Sequence, residues 1–118
     1  MQPQEIAQKL YEFCAENKFE QAQRQLYAEN ATSIEPAHSP GMQTVQGLDN
    51  IIAKGDMFQS MIETYHGGYV NEPQVFGNYI SMQMGMDVTM KGGQRMNMEE
   101  LAIYEVKDGK IISEQFLY

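Results

Sequence analysis

The chain has 118 residues, of which 42% are hydrophobic and 20% are charged, and its formal net charge is -8. This composition is typical of one globular domain and excludes a disordered chain. The acidic balance argues against a nucleic-acid partner, because phosphates would be repelled in the absence of a concentrated basic patch. Cys14 stands alone, which excludes an intrachain disulfide and a cysteine zinc cluster.

Location and partners follow from the same features. No run approaches the roughly 20 apolar residues that a membrane helix requires. The first residues lack the basic start and apolar stretch of a secretion signal, so we expect a cytoplasmic protein. Membranes and nucleic acids are therefore not expected as partners, and small molecules or a second copy of the chain remain.

Apolar residues at helical spacing dominate the first sixty positions. Pro3 opens the first helix, since its missing N–H would be unpaired in a first turn anyway. The apolar face of that helix consists of Ile6, Ala7, Leu10, Tyr11, Phe13 and Cys14. A short second helix and a third one follow, their apolar positions being Phe19, Ala22, Leu26 and Tyr27, then Leu48, Ile51, Ile52, Gly55, Phe58 and Ile62. Gly55 inside a helix costs about 1 kcal/mol relative to Ala, and it therefore predicts a close backbone contact.

Between the second and third helices the chain is extended and then irregular. Residues 31–36 form a short extended segment, in which Pro36 excludes the α region for Glu35. Residues 38–46 have no periodicity and are predicted to form a loop.

From Glu63 onward the apolar pattern has a period of two, and four strands are predicted at 69–76, 79–91, 94–106 and 110–118. The short links Gly77-Asn78, Gly92-Gly93 and Asp108-Gly109 tolerate the positive φ angles of tight turns, so they predict an antiparallel meander. The pair Gly67-Gly68 predicts a bulge in the strand before it.

Helices followed by a long antiparallel sheet predict an α+β domain. Three helices on one face of a strongly bent sheet enclose a cone, and the open end of a cone is the expected place for a ligand cavity.

Several local motifs occur in a specific order along this chain. They are the amphipathic first helix, the segment Leu-Tyr-Ala-Glu-Asn-Ala-Thr at 26–32, Glu35 before Pro36, Gly47 before the third helix, and Val-Lys-Asp-Gly-Lys-Ile at 106–111. Together they span nearly the whole chain. In their order and spacing they resemble the SnoaL-like and ketosteroid isomerase-like branch of the nuclear transport factor 2-like superfamily. The resemblance implies one SnoaL-like domain over residues 1–118, with a cone-shaped, cystatin-like sheet and three N-terminal helices on its concave face.

The resemblance also implies site residues. Ketosteroid isomerases carry an acid on the first strand as general base, with a tyrosine on the first helix and an acid on the penultimate strand as donors to the oxyanion. These positions fall on Glu35, on Tyr11 and on Ala102, or on Leu101 if the hairpin is aligned one residue differently, and neither Ala102 nor Leu101 can donate a proton. Glu100 lies on the same strand face as Ala102 and is the candidate for a relocated acid. If Glu35 and Glu100 both face the cavity, their repulsion holds one of them protonated near neutral pH.

Each of these candidates also has an ordinary interpretation. Glu35 is equally consistent with a surface acid in a turn. Tyr11 is consistent with a core residue whose hydroxyl reaches water. Glu100 is consistent with one partner of a cross-strand ion pair.

The expected ligand-binding residues are His66, Asp87, Phe58, Ala102, Tyr104 and Tyr118. His66 is a pocket donor or proton shuttle, or else it only caps a strand. On the last strand Glu114, Phe116 and Tyr118 share one side. If that side faces inward, Tyr118 closes the cavity. No dense set of metal ligands is present, so neither a metal site nor a cofactor is expected.

Residues 81–90 alternate between methionine or valine and small or polar side chains, and this alternation permits two registers. The resemblance implies the register in which Ser81, Gln83 and Asp87 face inward. In it the methionines face outward with Leu101 and Ile103. That register exposes an apolar face and predicts a homodimer through the outer sheet face. In the other register the thioethers line the cavity and adapt to an apolar ligand.

The leading functional hypothesis is a homodimeric small-molecule pocket protein that moves a proton next to a carbonyl of an apolar ligand without a cofactor. One alternative is a non-catalytic carrier of the same shape. Another is a dimerisation module with a filled core.

Overall fold

The computed structural model describes all 118 residues. Three helices are formed, α1 (Pro3–Ala15), α2 (Phe19–Leu26) and α3 (Leu48–Ser60). The strands are β1 (Tyr27–Ile34), β2 (Val45–Gln46), β3 (Ile62–Val70), β4 (Gln74–Phe76), β5 (Tyr79–Met90), β6 (Arg95–Lys107) and β7 (Lys110–Leu117). None of the helices combines the length and apolarity needed to cross a membrane.

Helix α1 begins and ends where its sequence dictates. The Gln2 backbone N–H donates to Glu5 Oε1 at 3.1 Å, which satisfies one of the free donors of the first turn. Asn17 adopts a φ of 59° just beyond the last turn and directs the chain into α2. The buried stripe of the helix includes Ile6, Leu10 and Cys14, which recur every fourth residue and therefore face the sheet.

The strands form one curved sheet in the order β2-β1-β7-β6-β5-β3, and β4 pairs with the start of β5. The predicted meander of β5, β6 and β7 is confirmed. Strand β1 runs parallel to β7, so the sheet is mixed. Hairpin turns fix the direction only of neighbours in sequence, and no such turn joins β1 to β7.

Several boundaries differ from the sequence prediction. The extended segment expected at 31–36 is strand β1, which begins at Tyr27 and ends at Ile34, and Val45–Gln46, expected in a loop, forms β2. The strand expected at 69–76 is divided between β3, which starts at Ile62, and the short β4. Pro73 lies in the gap and lacks the N–H that a continuous ladder would need. The predicted bulge is present, since the pairing of β3 with β5 shifts between Tyr65 and Gly67.

The favoured register of the methionines is wrong. Met82 is 1% exposed and pairs across the sheet with buried Ala102, while Gln83 is exposed. The even-numbered residues of β5 and β6 thus face the helices, and the thioethers line the concave face. The predicted homodimer was based on methionines exposed on the outer face. Since they face the helices instead, they no longer support that prediction. Dimerisation through the outer face stays a prediction.

The core is concentrated at the end of the cone where α1 and α2 pack on the sheet. Its buried residues include Leu10, Leu26, Met82, Tyr104 and Ile111. Gly55 does not mark a close approach as expected, because an added Cβ would meet no atom within 4 Å.

Candidate active site

Glu35 occupies the turn that follows β1. Its backbone N–H donates to Thr44 Oγ1 at 3.0 Å, and this bond ties the start of the 36–44 loop to its end. The side chain is only 7% exposed, although the residue lies outside regular structure. The interpretation of Glu35 as a solvent-exposed acid is therefore wrong.

Lys54 on α3 binds the Glu35 carboxylate. Its Nζ lies 2.7 Å from Glu35 Oε2 and 3.2 Å from the carbonyl oxygen of Gln43. The same ammonium is 5.7 Å from the centre of the Phe116 ring. Both charged side chains are 7% exposed, so this is a buried ion pair, and removal of one partner would leave an uncompensated charge.

Tyr118 engages the other oxygen of Glu35. Its phenol oxygen lies 2.8 Å from Glu35 Oε1 and 2.8 Å from Ser39 Oγ. Partial burial, together with the Glu35 hydrogen bond and charge, raises the pKa of the Tyr118 phenol. The residue as a whole is 46% exposed, and its hydroxyl faces the ion pair.

A second carboxyl group, that of Glu114, lies deeper under the sheet. Ser33 donates to Glu114 Oε2 at 2.6 Å, and the Tyr27 hydroxyl bonds the other oxygen. Burial raises the pKa of Glu114, and the two hydroxyl donors and the Lys54 charge oppose that effect. The residue is 3% exposed, and it pairs across the sheet with Tyr104.

Glu100 is the third carboxyl group on the concave face, opposite Met84 on β5. Burial raises its pKa to about 7, and the charges of Glu35 and Glu114 add to the shift. A depression of about 210 Å³ touches Glu100, but the rest of its lining, including Gln83, Glu99 and Leu101, consists of odd-numbered residues, which places it on the outer face of the sheet. A half-buried acid that titrates near neutrality can both accept and donate a proton under ordinary conditions.

The structure thus brings Glu35, Glu100 and Tyr118 to one face, as expected, but it places Tyr11 elsewhere. Tyr11 is half-buried and lines a groove of about 270 Å³ together with Glu72 and Pro73. It makes no hydrogen bond to either acid. The helical phase explains this, since the stripe centred on Leu10 turns Tyr11 toward the β3–β4 connection.

The remaining predicted residues are dispersed. Asp87 lies on the outer face in a two-pronged ion pair with Arg95, at 3.0 and 2.9 Å. His66 is exposed and contacts Thr89 Oγ1 at 2.7 Å. Neither faces the concave side. The odd positions of β5, which include Asp87 and Thr89, point outward, and His66 contacts Thr89.

Three other predicted ligand contacts lie on the concave side of the sheet or on α3. Ala102 and Tyr104 belong to the packed core, and Phe58 is half-buried on α3. An enclosed cavity holding both acids stays a prediction, because neither of the two depressions described above includes Glu35 in its lining.

Sequence reasoning missed Lys54, Glu114, Tyr27 and Ser33 as members of this site. Lys54 interrupts the apolar positions of α3 three residues after Ile51, which was the available signal for a buried cation. The sequence pattern groups Glu114 with Phe116 and Tyr118 on one side of the last strand, but it assigns no role to Glu114.

Comparisons with known proteins agree with the fold. The family model of the SnoaL-like domain matches residues 1–118. A solved protein from Mesorhizobium loti, assigned as a SnoaL-like polyketide cyclase and as a carbohydrate phosphatase, is 33% identical over 100% of both chains, with a TM-score of 0.92. Among curated proteins, none matches the sequence significantly.

More distant structures share the fold alone. A protein from Catenulispora acidiphila with a ketosteroid isomerase-like fold, solved with trimethylamine, is 17% identical over 97% of this chain and 85% of its own, with a TM-score of 0.74. A cystatin-like protein from Xanthomonas campestris is 14% identical over 99% and 90%, with a TM-score of 0.75. The expected α+β architecture is confirmed.

Proposed function

Because the chain belongs to the family of SnoaL-like domains, we propose that it is a cofactor-free acid–base enzyme that moves a proton next to the carbonyl of a small apolar molecule. One observation carries this proposal. Burial raises the pKa of Glu100 to about 7, and the charge of Glu35, which Lys54 holds in place, adds to that shift. Two carboxyl groups with different protonation at one pH supply a base and an acid together.

The two carboxyl groups take different roles. Glu35 accepts hydrogen bonds at both oxygens, and a carboxylate has about four acceptor positions, so it retains capacity to take a substrate proton. Protonated Glu100 donates a hydrogen bond to the enolate oxygen that forms. The Lys54 ammonium stabilises the developing negative charge from the side of α3.

The lining of the concave face supports an apolar substrate. Met84, Met86 and Met98 are half-buried there, next to Glu100. Thioether side chains are flexible and polarisable, and they adapt to apolar ligands of irregular shape.

A phosphate ester is a poorer candidate, although the Mesorhizobium loti relative is also assigned as a carbohydrate phosphatase. Such a substrate would meet the Glu35 carboxylate, and the ammonium beside it, that of Lys54, is already paired with Glu35. Repulsion between like charges at short range disfavours its binding.

Exchange of the α-hydrogens of ketones and β-ketoesters with deuterated water tests the proposal, with NMR as the readout over a range of pH. We expect Glu35→Gln to abolish exchange and Glu100→Gln to slow it by roughly 100-fold or more. Glu99→Gln is the matched control, because Glu99 is exposed on the opposite face of the same strand. Unchanged exchange in Glu35→Gln would contradict the proposal.

A non-catalytic carrier is the second candidate, and one observation favours it. Both oxygens of Glu35 already have internal partners, as in a structural ion pair. Binding of a ketone panel without exchange at any pH, and equally tight in Glu35→Gln, would select the carrier.

A further inference from the structure

Tyr118 and Ser39 connect the buried Glu35 to the surface. The Glu35 side chain is 7% exposed, whereas Tyr118 as a whole residue is 46% exposed. The distances from Glu35 Oε1 to the phenol oxygen and from there to Ser39 Oγ are both 2.8 Å. These three groups form an unbroken hydrogen-bonded chain from the ion pair to the 36–44 loop.

The chain has a direction that depends on Glu35. A phenol has one proton, so Tyr118 donates to one neighbour and accepts from the other. When Glu35 is a carboxylate, the phenol donates to it and the Ser39 hydroxyl donates to the phenol. When Glu35 is protonated, it donates to the phenol, and the phenol donates to Ser39.

Neighbouring groups hold the chain in place. The Met42 backbone N–H donates to Ser39 Oγ at 3.3 Å, and His38 Nε2 lies 2.9 Å from the carbonyl oxygen of Tyr118. The rings of His38 and Tyr118 also meet edge to face, with their centres 6.0 Å apart. Lys54 occupies the opposite oxygen of Glu35, so the phenol faces the only oxygen that is free of the ammonium.

We propose that Tyr118 and Ser39 are positioning residues that relay protons between Glu35 and bulk water. The inference rests on the proposed function, in which Glu35 takes a proton from the substrate and must release it. In the release step the Glu35 O–H bond breaks as its proton moves to the phenol oxygen. The phenol proton moves to Ser39 Oγ, and the Ser39 proton moves to water. Glu35 ends as a carboxylate, both hydroxyls are restored, and one hydronium ion is formed.

A pH-jump experiment followed by infrared spectroscopy tests the relay without a substrate. The carbonyl stretch of protonated Glu35 is assigned by its loss in Glu35→Gln, and its rate of appearance after an acid jump is measured. We expect Tyr118→Phe and Ser39→Ala to slow that rate by roughly tenfold or more, because each removes a proton-carrying hydroxyl. Tyr11→Phe is the matched control and leaves the rate unchanged.

A purely structural role for Tyr118 gives the opposite results. If the ring only covers Glu35, then Glu35 in the Tyr118→Phe variant is protonated at the wild-type rate. That result would overturn the relay. Tyr118→Ala admits water directly, so we expect its rate to recover to the wild-type value or above. Absence of a protonated Glu35 band at every pH where the protein is folded would also overturn it. Failure of α-hydrogen exchange with a normal relay would reject only the proposed function.

Discussion

The two halves of the β5–β6 hairpin use the same alternation for different purposes. In the half next to the β5 start, the inward residues are at most 2% exposed, namely Ile80, Met82, Ala102 and Tyr104. In the other half most inward residues are half-buried, namely Met84, Met86, Met90, Met96, Met98 and Glu100, and only Val88 is fully buried. Stability therefore depends mainly on the first half, and in the proposed function the second half provides the wall of the ligand site. The following changes test that division.

The largest effect is expected at the buried ion pair of Lys54 and Glu35. Lys54→Met should lower the free energy of unfolding by about 3–5 kcal/mol, because it leaves the buried Glu35 carboxylate without a counter-ion. It should also raise the pKa of Glu100 further, since the Lys54 charge lowers that pKa in the wild type. Urea unfolding and carboxyl NMR titration measure the two effects.

The double variant Glu35→Gln with Lys54→Met is the control for this prediction. It should recover much of the lost stability, because no uncompensated charge remains. A single variant as stable as the wild type would show that the pair is not buried in solution.

Two methionines on one strand compare the halves directly. Met82→Ala should cost about 2–5 kcal/mol, as expected for a fully buried side chain. Met86→Ala should cost less than about 1 kcal/mol, since its side chain is only half-buried. Chemical unfolding measures both, and equal losses would reject the division into a packed and a lining half.

The pH dependence of stability reports on Glu100. Its pKa is raised to about 7 in the folded state, so between the ordinary glutamate range and pH 7 the unfolded state loses its proton first. Stability therefore falls as pH rises through this window, by up to roughly 3 kcal/mol at pH 8 for this group. Glu100→Gln should remove that loss and be the more stable protein at pH 8.

At pH 4 the wild type and Glu100→Gln should be nearly equal, because Glu100 is then protonated in both states. Glu99→Gln should follow the wild-type curve throughout. Parallel curves for the wild type and Glu100→Gln would contradict the assigned environment of Glu100.

The smallest effect is expected on α3. Gly55→Ala should stabilise the protein by about 0.5–1 kcal/mol, since Ala favours the helix and no atom lies within 4 Å of the added Cβ. A thermal unfolding scan suffices to measure it. A destabilised variant would show that the space beside Gly55 is filled in solution.

Much of the fold could be predicted from local patterns. Helical spacing located all three helices, and the glycine-containing links located the hairpins. The direction of β1 could not be predicted, because its partner is β7, which lies far away in sequence and is joined to it by no turn. The register of β5 could not be predicted either, because both sets of alternating side chains are able to form a face.

The site was only partly predictable for a similar reason. The position of Glu35 followed from the resemblance and from Pro36. The interpretation of Tyr11 as an oxyanion donor came from its position in the family pattern. The helical phase of α1 turns its side chain toward the β3–β4 connection instead. Lys54 was missed because a lysine in a helix is usually solvated, and only its partner Glu35 makes its burial favourable.

The parallel pairing of β1 with β7 has a consequence for how the molecule is assembled. The hydrogen bonds that define the site join residues 81, 83 and 87 positions apart, at Ser33–Glu114, Tyr118–Glu35 and Tyr27–Glu114. Contacts of such long range form late, because closing long loops is entropically unfavourable. A growing chain on the ribosome thus completes its helices and the β5–β6 hairpin before Glu35 acquires its phenol partner, and a chain that stops before β7 lacks both Glu114 and Tyr118.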